Sequence, residues 1–195
     1  MQILPGKRHS IFCDMSGNRV LKRSAPSLIP MSGGNTGQTA GHFSKRSAIA
    51  NKMKDYRPFD DQRQPRILIE GTEFLFLLSK AIDKEITLIN SFVLEDENTR
   101  NPFIVRKDKI SDLLKVAIKY VGYSEKLENR AKEIEKFGIM AIDALHIACA
   151  EMAKADFFVT CDDLLVRKGM ANNKERLKVK IIGLMEFLAK EVFKT

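Results

Sequence analysis

The chain has no tryptophan, three tyrosines, three histidines and three cysteines in 195 residues. Cys13, Cys149 and Cys161 make neither an even-numbered disulfide framework nor a metal-ligand spacing. That excludes a disulfide-stapled secreted scaffold and suits a reducing compartment, so the expected location is cytoplasmic. No apolar run approaches the roughly 20 residues that span a bilayer, so no transmembrane helix is expected. The opening MQILPGKRHSIFCDMSG lacks the apolar core of a secretory signal. Proline and glycine are sparse after residue 65, and the length suits one α/β domain with an appendage.

Charge is present but lopsided. The net charge is +8. Residues 1–66 carry twelve Lys/Arg against four Asp, and residues 67–195 carry twenty-one of each sign. The basicity therefore belongs to the front of the chain. Basic arms often meet phosphate backbones, and they are also often solvated leaders with no specific partner. Residues 1–47 are rich in Ser, Gly and Pro and read as a low-complexity, disordered basic leader; the folded domain is expected over 48–195. Within the leader only Ser10–Cys13 has strand character, and Ser47–Ala50 is a weaker candidate.

From Pro65 the apolar spacing turns helical and predicts a helix to about Asp83. A short β run follows at Ile86–Ile89, then Ser91 as a cap for a helix over Phe92–Asn98 that carries Glu95, Asp96 and Glu97. Asn101-Pro102 breaks it. Further helices are predicted over Lys107–Ala117 and Glu125–Phe137, with a strand between them at Ile118–Val121. Later come a strand at Val179–Ile182 and a helix at Leu184–Val192. Strands alternating with helices argue for a parallel α/β sheet.

The most informative stretch is Phe137–Leu165. It reads as an apolar helix from Gly138–Ala141 to about Ala153, a buried strand Phe157–Thr160, and Asp162-Asp163 leading into a helix over Leu164–Met170. Asp143 near that helix start and Asp162 past the strand end are expected at the carboxyl edge of the sheet, where α/β sites form. Glu97 starts from the same edge. Each acid has a plainer reading: Asp143 as a first-turn acid favouring the helix dipole, Asp162 as a helix cap, Glu97 as a solvated charge. Together they suit a hard cation, Mg²⁺ or Mn²⁺. His146 reads as a side chain filling a helix interface rather than as a base, and Cys149 as a small core residue. The Arg57-Pro58-Phe59-Asp60-Asp61 loop places an arginine where a phosphate could bind.

The motifs RPFDDQ (57–62), SFVLEDEN (91–98), NPF (101–103), GIMAIDALHIACA (138–150) and FFVTCDD (157–163) resemble PIN-domain proteins, closest to a subgroup with an Arg-Pro-Phe-Asp-Asp-Gln loop. The resemblance spans about residues 51–188. It implies a three-layer α/β/α fold with a twisted parallel sheet, a carboxylate cluster holding Mg²⁺ or Mn²⁺, and RNA hydrolysis, as in toxins of toxin–antitoxin pairs. An antitoxin protein and a homodimer are further partners it suggests. It assigns Glu97, Asp143 and Asp162 as metal-binding catalytic acids, and Thr160 and Arg57 as substrate-binding residues. The first acid of the pattern falls at Asn51, after the poor strand Ala48-Ile49-Ala50. An Asn carbonyl can ligate a hard cation, but one negative charge is lost. Asp14, in Ile11-Phe12-Cys13-Asp14, is another candidate, and its use requires about forty inserted residues, uncommon inside a compact domain. A displaced or altered N-terminus is the favoured explanation, and an RNA- or protein-binding module without catalysis is the alternative function. Ala141 and Tyr56 also depart from the pattern, where Ser and Asn are usual.

Overall fold

The structure, a computed structural model, describes residues 9–13, 59–172 and 176–193. Its centre is a five-stranded, all-parallel sheet in the order β3-β2-β1-β4-β5. The strands are β1 (His9–Cys13), β2 (Ile86–Ser91), β3 (Lys119–Val121), β4 (Phe157–Thr160) and β5 (Lys180–Gly183). The helices are α1 (Pro65–Ile82), α2 (Phe92–Thr99), α3 (Ile104–Leu114), α4 (Glu125–Glu135), α5 (Ala141–Met152), α6 (Asp163–Asn172) and α7 (Leu184–Phe187), the last running into a π-helical turn, Leu188–Val192. The expected α/β class and parallel sheet between helical layers are present.

Alternation along the strands sorts the core into two layers, as it must when successive side chains point to opposite faces. Phe12, Ile89, Phe158 and Ile181 pack with α2, α4, α5 and α6 on one face. Ile11, Leu88, Phe157, Val159 and Ile182 pack with α1 and α7 on the other. Because both faces are covered, the strands read as unbroken apolar runs rather than alternating ones. Burial of this kind is the main stabilising term of the fold.

β1 corrects the expected domain boundary. Its five residues lie in the middle of the sheet, pairing with β2 from His9↔Ile86 to Phe12↔Ile89 and with β4 from Ile11↔Phe157 to Cys13↔Val159. The folded domain therefore includes a strand from the segment read as a disordered leader. That strand fills the place between β2 and β4, so the first strand of the sheet comes from His9–Cys13 and not from Ala48-Ile49-Ala50. The rest of residues 1–47, and residues 48–51, lie outside the described residues. The strand is fastened at its start by Asp156, whose carboxylate accepts from the Ser10 N–H at 2.6 Å while its own N–H donates to the Ser10 carbonyl at 2.8 Å.

Caps explain most boundaries. Ser91 and Ser124 accept from the N–H groups of Leu94 and Leu127, three residues on, which starts α2 and α4. α3 begins at Ile104, three residues before the expected Lys107, and leaves Ile104 and Val105 exposed. α4 and α5 are joined by Arg130, which forks onto the buried Glu151 carboxylate at 2.7 and 3.1 Å. Among the described residues no helix is long and apolar enough to cross a membrane.

Three stability measurements check this packing. A Cβ on Gly169 of α6 would lie 2.6 Å from Cβ of Ile181 on β5. Gly169→Ala is therefore expected to cost about 1–3 kcal/mol in urea unfolding. Lys154 ends α5 at φ 55° and Lys84 ends α1 at φ 61°. Lys154→Gly should raise stability by about 0.5–1 kcal/mol, the left-handed strain removed less the extra chain entropy of glycine. The Cys149 thiol is fully buried and its pKa is pushed up to about 12 by that burial, partly offset by a hydrogen bond with Ser91. Alkylation of native protein near pH 8 should therefore spare Cys149 until denaturant is added, with mass spectrometry reading the modified peptide.

Candidate functional site

All five strands end on one side, and the chain moves from β1 to β2 in one direction and from β4 to β5 in the other. The crevice at the carboxyl ends of β1 and β4 is thus the topological switch point, the usual place for a site in an open parallel sheet. Four elements meet this neighbourhood: the end of β1, α2 following β2, the first turns of α5, and the loop after β4.

Of the acidic run on α2, Glu95 and Asp96 face solvent. Glu95 accepts from Asn90 Nδ2 at 2.9 Å and from the Tyr120 hydroxyl at 3.2 Å, and Asp96 pairs with Arg100 at 2.6 Å. Glu97 turns the other way. Its side chain is 18% exposed and its Oε2 lies 3.1 Å from His146 Nε2. His146 is wholly buried and stands one turn after Asp143 on α5, so the two share a helix face. Asp143 is also buried, at 6% exposure. The solvated reading of Glu97 and the exposed first-turn reading of Asp143 are therefore both set aside. His146 does fill an interface, as expected, but it also engages an acid.

Asp162 keeps its capping role. Its Oδ1 accepts from the N–H groups of Leu164 at 2.7 Å and Leu165 at 3.1 Å, which starts α6. Thr160 is buried, and its hydroxyl accepts from the Asp162 N–H at 3.1 Å, shaping the loop that carries the aspartate. Asp163 next to it is held by Arg66 of α1, whose Nη1 and Nη2 donate to its two oxygens at 2.8 and 2.9 Å. Arg66 also donates to Glu70 Oε1 at 2.6 Å and to the Cys161 carbonyl at 3.2 Å. One guanidinium thus ties the start of α1 to the β4–α6 loop. The neighbouring carboxylates, Asp163 first and Glu70 second, raise its pKa, so it stays charged.

Arg57, Asn51 and Asp14 lie outside the described residues. The described part of the Arg-Pro-Phe-Asp-Asp-Gln loop is docked on α3. Arg106 donates to the Phe59 carbonyl and stands 3.4 Å from Asp60 Oδ1, and the Lys109 ammonium lies 5.6 Å from the Phe59 ring centre. Asp60 is 8% exposed at its side chain, so this carboxylate is a buried partner of α3.

Sequence reasoning missed Arg66 and Arg106 and undervalued His146. The i, i+4 spacing of Arg66 and Glu70 and the i, i+3 spacing of Asp143 and His146 were available signals. Arg106 meets a loop 46 residues away, and no local pattern announces that.

Among the described residues, no group of three or more His, Cys, Asp or Glu side chains is placed to hold a metal ion. The structure links Glu97 to the Asp143-bearing face of α5 through His146, and it holds Asp162 on a separate, capped loop. The donor chemistry of Glu97 and Asp143 nevertheless fits a hard divalent ion: carboxylate oxygens, largely withdrawn from water, with no thiolate among them. Comparison of the chain with protein-family models, with curated proteins and with solved structures finds no match.

Proposed function

We propose that the chain is a PIN-like ribonuclease that hydrolyses RNA phosphodiester bonds with Mg²⁺ or Mn²⁺. One observation carries the reading. β1 sits between β2 and β4, and the sequence continues from its carboxyl end with Asp14. The first acid of the resemblance is then Asp14 rather than Asn51, and the missing charge is recovered. The insertion that this requires falls between Cys13 and Phe59 in sequence, and the entropy of closing a connection grows only slowly with its length.

In this reading Asp14, Glu97, Asp143 and Asp162 would hold the ion. A bound divalent ion supplies a Lewis acid for the phosphoryl oxygen and an activated water. The chain's own residues do the positioning. His146 holds Glu97, Thr160 shapes the Asp162 loop, and Arg66 fastens that loop to α1. Arg57, eight residues before the start of α1 in sequence, is the candidate for a flanking phosphate, because a guanidinium matches a phosphate with paired hydrogen bonds. A role as toxin with a protein antitoxin, and a homodimer, extend the same reading. Co-purification with the product of the neighbouring gene tests the first, and the mass of the purified chain in solution tests the second.

A second reading has its own support. Asp162 Oδ1 is committed to capping α6, and no three-acid group assembles among the described residues. Those facts suit a PIN-like module that binds RNA or a protein without cutting.

Incubation of the full chain with single-stranded RNA and Mg²⁺ or Mn²⁺ separates the two. The nuclease reading expects cleavage, with Asp143→Asn slowing it on the order of 100-fold or more, as loss of one preorganised charge-stabilising group does. RNA that is bound but not cut, with Asp143→Asn indistinguishable from the parent, supports the binding module instead. Asp14→Ala is expected to weaken Mn²⁺ binding measured by calorimetry, and an unchanged affinity removes Asp14 from the site.

A further inference from the structure

We infer that His146 is a positioning residue for Glu97, fixing which carboxylate oxygen is offered to a cation; the inference rests on the metal-dependent reading above. Four observations support it. His146 Nε2 and Glu97 Oε2 are 3.1 Å apart. An ionised carboxylate can only accept, so Nε2 carries the proton and donates. Oε2 is thereby engaged, and Oε1 has no hydrogen-bond partner among the described residues.

The imidazole itself is not free to follow a wandering glutamate. It is fully buried on α5 and lies against the Phe12 ring, centroids 5.9 Å apart and planes tilted by 54°. Phe12 in turn stacks on Phe158, with centroids 5.4 Å apart and planes 12° apart. The chain of contacts runs from β4 through β1 and α5 to Glu97 on α2. Each link is a fully buried ring, so the position of the donor is set by the core. A glutamate held this way loses its rotamer freedom during folding rather than on binding, and the ion meets a prepared ligand. Outer partners of metal-ligating carboxylates act in this manner, and their loss typically weakens metal affinity about 10–100-fold.

The geometry also distinguishes His146 from an ordinary core residue. A side chain that only fills space can be replaced by an apolar one of similar volume with no effect beyond stability. His146→Leu keeps the volume and removes the donor, whereas His146→Gln keeps a donor at similar reach.

The test is Mn²⁺ binding by calorimetry to the full chain and to His146→Leu, His146→Gln, Glu97→Gln and the His146→Leu/Glu97→Gln pair. Thermal unfolding of each variant is measured alongside. The expected result is an affinity about 10–100-fold weaker in His146→Leu, largely restored in His146→Gln, with no further loss when His146→Leu is added to Glu97→Gln. Folded His146→Leu that binds Mn²⁺ as the parent does overturns the inference and leaves the metal reading standing. So do additive losses in the pair, which show that His146 acts on the ion by another route. Should His146→Leu fail to fold, His146→Gln with undiminished stability and an affinity as weak as that of Glu97→Gln overturns it equally. A parent chain that binds no Mn²⁺ brings down the metal reading itself, and this inference with it.

Discussion

The structure depends on a strand of five residues accepted between two others. β1 is hydrogen-bonded along both edges, and its only two fully described core side chains serve opposite layers, Ile11 with α1 and α7, Phe12 with α4, α5 and α6. Without it β2 and β4 would each expose an unpaired edge, and the two helical layers would lose Phe12 and Ile11 from the middle of the sheet. Deleting a fully buried Phe side chain typically costs about 3–5 kcal/mol, a large share of the total for a domain of this size. The Asp156 carboxylate and N–H at Ser10 fix the register at the start of the strand.

Four acids near the site are each held by a named partner. Glu97 meets an imidazole, Asp162 meets two backbone N–H groups, Asp163 meets a guanidinium, and Asp60 meets Arg106. Buried carboxylates need such partners or must take up a proton. Arg66 has a mechanical effect as well. By holding Asp163, Glu70 and the Cys161 carbonyl at once, it keeps the capped loop at the start of α1.

Much of this was legible in the residues. The helix over Ala141–Met152, the buried Phe157–Thr160 strand and the Ser91 cap follow from apolar periodicity and from hydroxyl-before-helix chemistry, both of which are local. What was hidden is tertiary. Ser10–Cys13 has strand character, but it is a short run in polar surroundings, and only its neighbours in space make it the middle of a sheet. The place of the first strand near Asn51 is an expectation from sequence distance to Arg57, and distance along the chain says little about which strand fills a gap. α3 was read three residues late because Ile104 and Val105 are exposed, so the apolar pattern that marks a buried helix face does not mark its first turn. The turn of Glu97 toward the core, away from Glu95 and Asp96, likewise depends on a histidine 49 residues away.

The separation between β1 and its partners also governs how the molecule is made. Ser10 finds Asp156 across 146 positions of chain, and β4 is the strand that closes the second edge of β1. During synthesis the first strand leaves the ribosome long before either partner exists, while α1 and β2 can assemble as soon as they emerge. Ordering such distant contacts is slow, because the loop entropy is lost before the pairing energy is gained. The amino-terminal strand is therefore the earliest part of the sheet to be translated and among the last to be locked in place. The edge that carries Glu97, Asp143 and Asp162 is complete only after Asp162 has been added to the chain.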